Sequence, residues 1–378
     1  MVREQTKQIL LDLSKKMVFV SGPRQAGKTW LAQRVMSSHS RPVYLNYDNE
    51  QDRTIIKDQA WASSADLLVF DEIHKMPNWK NYLKGVWDTS PAGQTVLVTG
   101  SARLETFRQS GDSLAGRYFH HRLFPFTPAE LAATGTKYPL EHYLTRGGFP
   151  EPFLAEDNKD AMRWRRQYLD GLIREDILNY ENITQLKAMN LLVELLQSRV
   201  ASPLSYQSLA EDIGISPNTV KHYIEILEAL YIVFRIYPFH KSIARSLKQQ
   251  PKLYFFDTPL VQGEGQRLEN MVALSLYRQL CLQEDNDGRR RQLSYLRTKE
   301  GREVDFLLVT DGLPELMLEV KNTDRNLDDN LAYFHERYGF PGVQLVADLR
   351  LEKASGPLQL RRLLDFLAFD HPGMEHNA

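Results

Sequence analysis

Short, wholly apolar runs separated by stretches of helical period dominate the first third of the chain. Met17–Val20, Val43–Leu45, Leu67–Phe70 and Val96–Val98 each place three or four apolar residues in succession, as strands buried on both faces do. Tyr118 to Phe124 reads as a further strand. Residues 4–16 predict a short amphipathic helix and residues 30–36 a second one. Buried strands alternating with helices predict an α/β domain built on a parallel sheet. Residues 160–198 then turn helix-rich, with apolar spacing at Leu169, Leu172, Ile173, Ile177, Leu191, Leu192 and Leu195. Leu204 to Ile213 predicts a helix, Gly214 a turn, and Ser216-Pro217-Asn218 the cap of another helix running to Leu230; Tyr231 to Pro238 follows as a strand. From Lys252 the pattern changes again: a strand to Asp257, a helix over 266–282, strands at 293–297, 302–309 and 315–321, a helix over 327–338 and a strand at 342–347. Three domains are expected: 1–135, 136–250 with a winged helix over about 203–238, and 251–378.

The chemistry is densest between the first strand and the first long helix. Gly22-Pro23-Arg24-Gln25-Ala26-Gly27-Lys28-Thr29 has the form G-x-x-x-x-G-K-T, and Trp30 opens the helix behind it. Strand, glycine-bounded loop and helix is the context in which backbone N–H groups wrap a phosphate. Lys28 brings a point charge to the β and γ phosphates, and Thr29 a hydroxyl to Mg²⁺. The third apolar run ends in Asp71-Glu72, which a parallel sheet delivers to the phosphate end. Asp71 is a candidate metal ligand and Glu72 the candidate base that polarises the attacking water. Paired acids, with an extra strand between them and the phosphate loop, suit an ATP-hydrolysing machine better than a GTPase or nucleoside kinase. The run Thr95 to Ala102 brings Ser101 to the same end, as a sensor of the γ phosphate. Arg117, after Gly116, is a candidate arginine finger for a neighbouring subunit's ATP.

These residues resemble a known group. The phosphate loop, Phe70-Asp71-Glu72-Ile73-His74-Lys75, Thr99-Gly100-Ser101 and Leu114-Ala115-Gly116-Arg117 look like the prokaryotic AAA-type ATPases usually named only "ATP-binding protein", whose C-terminal domain has no assigned function. The resemblance extends over nearly the whole chain. It implies an AAA-like core that hydrolyses ATP with Mg²⁺, and by matching position it points to Lys28, Thr29, Asp71, Glu72, Ser101 and Arg117. It also implies assembly into a homo-oligomer, and it supplies no biological role.

A winged helix suggests DNA. Its charges do not: Glu211, Asp212, Glu225 and Glu228 lie on the two helices, and only Asn218, Thr219 and Lys221 stand where base edges would be read. A structural or subunit-contact module is the better expectation. Lys241, Arg245, Lys248 and Lys252 follow as a basic stretch able to touch a phosphate backbone.

The C-terminal acids fall in a telling order. Glu269 sits on a helix, Asp305 on the second of three strands, and Glu319 with Lys321 on one face of the third. Helix, three strands, helix, strand with Glu…Asp…Glu-x-Lys is the outline of the restriction-endonuclease-like fold. In that reading Asp305 and Glu319 bind Mg²⁺, Lys321 orients the nucleophile, and Arg289-Arg290-Arg291 and Arg297 hold DNA or RNA.

Composition alters little. The 378 residues carry a formal net charge of −1, so nucleic acid or anionic membrane would have to meet a local patch. The single cysteine, Cys281, forms no internal disulfide, which fits a reducing cytoplasm; no signal peptide or spanning segment is read. The leading expectation is an ATPase acting on nucleic acid through a nuclease-like domain. The rivals are a nucleotide-controlled switch that binds a partner without cleavage and, last, a small-molecule phosphotransferase.

Overall fold

The computed structural model describes residues 3–100, 114–177, 183–240, 249–323 and 326–370. By contacts the chain forms two units, Met1–Pro125 with Ala229–Tyr231, and Phe126–Glu228 with Ile232–Ala378. The expected middle and C-terminal segments thus share one unit. Among the described residues no helix is long and apolar enough to cross a membrane.

The first unit holds a sheet of five strands, β1 (Met17–Ser21), β2 (Pro42–Asn46), β3 (Leu67–Asp71), β4 (Thr95–Thr99) and β5 (Tyr118–Arg122). The order is β2-β3-β4-β1-β5, and every neighbouring pair is parallel. Strand β4 therefore lies between the phosphate-loop strand and the strand ending in Asp71, as the paired acids led us to expect. Alternation along the strands divides the core in two. Val18, Val20, Val69 and Leu97 pack with Ile9 and Leu13 of α1 (Thr6–Leu13) and Leu31, Ala32 and Val35 of α2 (Lys28–Met36). Met17, Phe19, Phe70, Val96 and Val98 pack on the other face with Ile56 of α3 (Glu50–Asp58) and Trp79, Leu83 and Val86 of α4 (Trp79–Thr89). Both faces being covered is why these strands read as unbroken apolar runs. The two covering helices α3 and α4 were not expected from the sequence.

The second unit opens with α5 (Pro128–Ala133), α6 (Leu140–Arg146), α7 (Pro150–Leu154), α8 (Asn158–Gly171) and α9 (Ile183–Gln197). Helices α10 (Tyr206–Ile213) and α11 (Pro217–Ala229) follow, joined through Gly214 at φ 78°. Arg235 on β6 (Val233–Pro238) ties them together: it donates to Glu228 Oε1 at 2.8 Å and to the Tyr206 hydroxyl at 2.7 Å. Burial works against the Arg235 charge, but Glu228 holds the guanidinium firmly ionised. An acid of α11 is thus committed to an internal tie. An eight-stranded sheet completes the unit, in the order β12-β13-β11-β10-β9-β8-β6-β7. Its strands after β6 are β7 (Lys252–Phe255), β8 (Arg291–Arg297), β9 (Glu303–Thr310), β10 (Leu313–Lys321), β11 (Gly342–Val346), β12 (Lys353–Ser355) and β13 (Leu358–Arg362). Strands β8, β9 and β10 form an antiparallel meander; α13 (Asp329–Tyr338) then crosses to β11, which pairs with β10 in parallel. The helix before the meander, α12 (Glu264–Asp287), runs 24 residues and exceeds the expected span at both ends. Asn270 pins it to β7, accepting from the Phe255 N–H at 2.7 Å and donating to its carbonyl at 2.9 Å.

One glycine fixes the geometry of the phosphate loop. Gly22 sits at φ 147°, and a Cβ there would lie 2.0 Å from the Leu123 carbonyl oxygen. Relief would require backbone to move, because no flexible side chain is in the way. Gly22→Ala is expected to destabilise the first unit by about 1–3 kcal/mol and to abolish nucleotide binding, read together by denaturant unfolding and by titration with a fluorescent ATP analogue.

Candidate functional site

The C-terminal ends of β1, β3 and β4 share one edge of the parallel sheet, and the first functional cluster is built there. Register fixes the level: Val20 lies opposite Thr99, and Thr99 opposite Asp71. Beyond β1 the loop Gly22–Gly27 enters α2 with Gln25 at φ 59° and Gly27 at φ 92°. A non-glycine residue in the left-handed region costs energy, which favours a functional reading of the loop shape. The loop is braced from behind. The buried Arg3 guanidinium donates to the Ala26 carbonyl at 2.7 Å and to the Phe124 carbonyl at 2.5 Å. Sequence reading missed Arg3, since a charge near a chain start looks solvated.

Lys28 opens α2, and its ammonium donates to the Gly22 and Pro23 carbonyls at 3.0 and 2.7 Å. Burial lowers its pKa to about 8, against the pull of Glu72 and Asp71. Asp71 is buried, and three hydroxyls converge on its carboxylate: Thr29 at 3.2 Å and Tyr44 at 2.5 Å on one oxygen, Thr99 at 2.6 Å on the other. The Tyr44 and Thr99 contacts were not foreseen; Thr99 ends its strand, while Tyr44 reaches the carboxylate from the middle of β2. Thr29 and Asp71 offer hard oxygen atoms side by side, which fits Mg²⁺ held by one or two protein ligands together with substrate phosphates. Glu72 follows at φ 55°, another left-handed non-glycine. Burial raises its pKa, opposed by Lys75 and Lys28. Lys75 lies 3.6 Å from Glu72 and 2.5 Å from Asp48; His74 Nε2 lies 3.5 Å from Glu72.

Of the other nucleotide candidates, Pro23 and Ala26 are buried, Arg24 is half-buried, and Gln25 and Trp30 are exposed at the loop mouth. Ser101 lies outside the described residues. Arg117 precedes β5, whose first residue pairs with Met17, so it lies at the opposite edge of the sheet from the loop. There it donates to Asp88 at 3.1 Å.

The second unit brings the four C-terminal candidates together. Val320 N–H donates to Asp305 Oδ2 at 3.0 Å, and Asp305 N–H to Glu319 Oε2 at 3.2 Å. Lys321 Nζ lies 2.8 Å from Glu319 Oε1 and 3.1 Å from Asp328 Oδ2. Glu269 reaches the cluster from α12, accepting from the Tyr254 hydroxyl at 2.8 Å. Burial raises the pKa of Glu269, Asp305 and Glu319 alike; the Asp305 charge pushes both glutamates further up. The sequence had assigned Lys252 to a basic surface stretch. It is instead almost fully buried, with its ammonium 2.6 Å from Glu303, 3.4 Å from Glu269 and 3.6 Å from Asp305. Burial works against that charge, but Glu269, Asp305 and Glu303 more than offset it and raise the lysine above its ordinary range. Three of the four arginines expected to grip nucleic acid are paired with acids: Arg289 with Asp311, Arg291 with Asp287 and Arg297 with Glu303; Arg290 meets Asp311 through its backbone N–H.

Comparison with known proteins agrees on the first unit. Residues 14–132 match the family model described as an AAA domain. Residues 137–263 and 264–355 match two models described as domains of unknown function, DUF8612 and DUF4143. An uncharacterized protein of Methanocaldococcus jannaschii is 24% identical, over 86% of this chain and 80% of its own. One from Mycobacterium tuberculosis is 25% identical, over 81% of this chain and 70% of its own. Among solved structures, the Walker-type ATPase of Pyrococcus abyssi aligns at 13% identity and a TM-score of 0.42, over 68% of this chain and 93% of that one. A RuvB variant of Thermotoga maritima aligns at 15% identity and a TM-score of 0.33, over 62% and 89%. The AAA-domain match and the strand order agree on an α/β P-loop module of AAA type at the start of the chain.

The depressed Lys28 pKa makes a pH prediction. A polyphosphate favours the charged ammonium, so binding draws a proton onto Lys28 wherever the free protein has lost it. ATP affinity is expected to hold up to about pH 8 and then to fall with rising pH, by at most tenfold, or about 1.4 kcal/mol, per unit. Calorimetry near pH 9 in buffers of different ionisation enthalpy should register proton uptake, and Lys28→Arg should remove it.

Proposed function

We propose that the first unit binds ATP with Mg²⁺ and hydrolyses it, and that the second unit responds to that cycle as a partner-binding module. The observation that carries the first half is the convergence of Thr29, Tyr44 and Thr99 on Asp71, with Lys28 and Glu72 beside it. In this reading the loop amides and the α2 N-terminus hold the phosphates, and Lys28 leaves its loop carbonyls to pair with the β and γ oxygens. Thr29 and Asp71 would hold Mg²⁺, which when bound neutralises charge developing on the phosphates. Glu72 accepts the proton of the attacking water; burial raises its pKa, which improves it as a base and costs activity as pH falls through that raised value.

Arg117 cannot serve the loop of its own chain from the far edge of the sheet. Its role as a finger therefore requires a second copy, which makes the active species an oligomer. The partner-binding reading of the second unit is favoured over nucleic-acid cleavage by Lys252, which stands among the acids that cleavage would need. The paired surface arginines support the same preference.

Three variants test this. Lys28→Ala should lower nucleotide affinity at least about a hundredfold, and Glu72→Gln should retain binding while kcat falls by two orders of magnitude or more, roughly the range for losing a catalytic base. Steady-state phosphate release and nucleotide titration separate the two, and normal turnover in both would refute the assignment. For Arg117→Ala, turnover per protomer should lose its rise with protein concentration; a rise identical to wild type would exclude the shared site.

A further inference from the structure

The outline Glu269…Asp305…Glu319-x-Lys321 implies a divalent metal, and the residues present do not fit one. A metal needs carboxylate oxygens turned toward a common point. Here both oxygens of Glu319 are taken, one by Lys321 and one by the Asp305 N–H. One oxygen of Asp305 accepts from the Val320 N–H, and the other faces Lys252. Glu269 accepts from the Tyr254 hydroxyl and faces Lys252 through the same oxygen. Among the described residues no three His, Cys, Asp or Glu side chains are arranged to hold a metal ion. We infer that the Lys252 ammonium is the built-in cation of this cluster, joining Glu269, Glu303 and Asp305 and taking the Asp305 oxygen that a metal shared with Glu319 would need.

Three features support the assignment. Lys252 comes from β7, at the edge of the sheet remote from β10, yet it reaches acids on two other elements, Glu269 on α12 and Glu303 and Asp305 on β9. Its strand is fastened to the helix carrying Glu269 through Asn270, so the lysine and that glutamate keep their spacing. Its ammonium also lies 5.4 Å from the centre of the Tyr295 ring, which closes another side with a face that attracts cations and excludes anions. A buried charge with three acidic neighbours and an aromatic wall is fixed in place, and a divalent ion brought among the same carboxylates would be repelled by the ammonium at close range. The second unit therefore keeps the fold outline of a metal nuclease with its cation supplied by the chain.

The inference deepens the partner-binding reading of the second unit and is independent of ATP hydrolysis, because the test is made without nucleotide. Full-length protein is titrated with Mn²⁺, following free ion by electron paramagnetic resonance and Tm by calorimetry, for wild type, Asp305→Asn, Lys252→Met and the double variant. Wild type and Asp305→Asn should bind Mn²⁺ identically, any ion at Thr29 and Asp71 being common to both. Lys252→Met should have a lowered Tm that Mn²⁺ partly restores, with one added ion that the double variant loses. Should Lys252→Met fail to fold, the wild-type and Asp305→Asn pair still decides. An ion bound by wild type and lost in Asp305→Asn overturns the inference, as does a folded Lys252→Met that gains no ion.

Discussion

A carboxylate withdrawn from water must be met by donors or give up its charge, and both units are arranged around that constraint. In the first, Asp71 is met by three neutral hydroxyls. Hydroxyls satisfy the oxygens without cancelling the charge, and they can turn away to re-form with a metal. In the second, Asp305, Glu269 and Glu303 are met by the Lys252 ammonium, and Glu319 by that of Lys321. An ammonium cancels charge and cannot be turned into an acceptor. The same problem is solved with neutral donors in one unit and with cations of the chain in the other.

The phosphate-loop site is also held away from its charges. Lys28 is depressed and Glu72 raised, both chiefly by burial, so each is easier to neutralise than in water. A polyphosphate reverses the first shift, since its negative charge repays the ammonium for lost hydration. Glu72 has a different restraint, lying between Lys75 and His74 on the turn after β3. Its left-handed backbone sets where the carboxylate points, and the Lys75–Asp48 pair fastens the turn to the segment after β2. The proposed base is thus positioned by the backbone first and by ion pairs second.

Much of the first unit was legible in the residues because both of its signals are local. Unbroken apolar runs mark strands covered on both faces, and a glycine-bounded loop before Lys-Thr needs no distant residue to define it. The position of β4 between β1 and β3 followed from the Asp-Glu pair, a motif that goes with this strand order. Helix α3 was missed because it buries only Ile56; α4 carries its signal in Trp79, Leu83 and Val86 at helical spacing, and that spacing was overlooked. Arg3, Tyr44 and Thr99 were missed for another reason. Their roles exist only once the sheet brings distant segments to one edge, and no spacing along the chain announces that.

Lys252 shows the same limit with larger consequences. It precedes Leu-Tyr-Phe-Phe and follows a run of basic residues, so its neighbours assign it to the end of a surface loop. Its environment is set by β7 lying beside β6, by α12 being fastened through Asn270, and by β9 bringing Glu303 and Asp305 to the same level. The order of acids along a chain can therefore reproduce the outline of a catalytic fold without reproducing its chemistry. What decides between a metal and a counter-ion is which donor occupies the space between the carboxylates, and that donor can come from a strand the motif does not include. On this chain the intruding group is a lysine held from three sides, and the acids it joins then act as a tie between a helix and two strands.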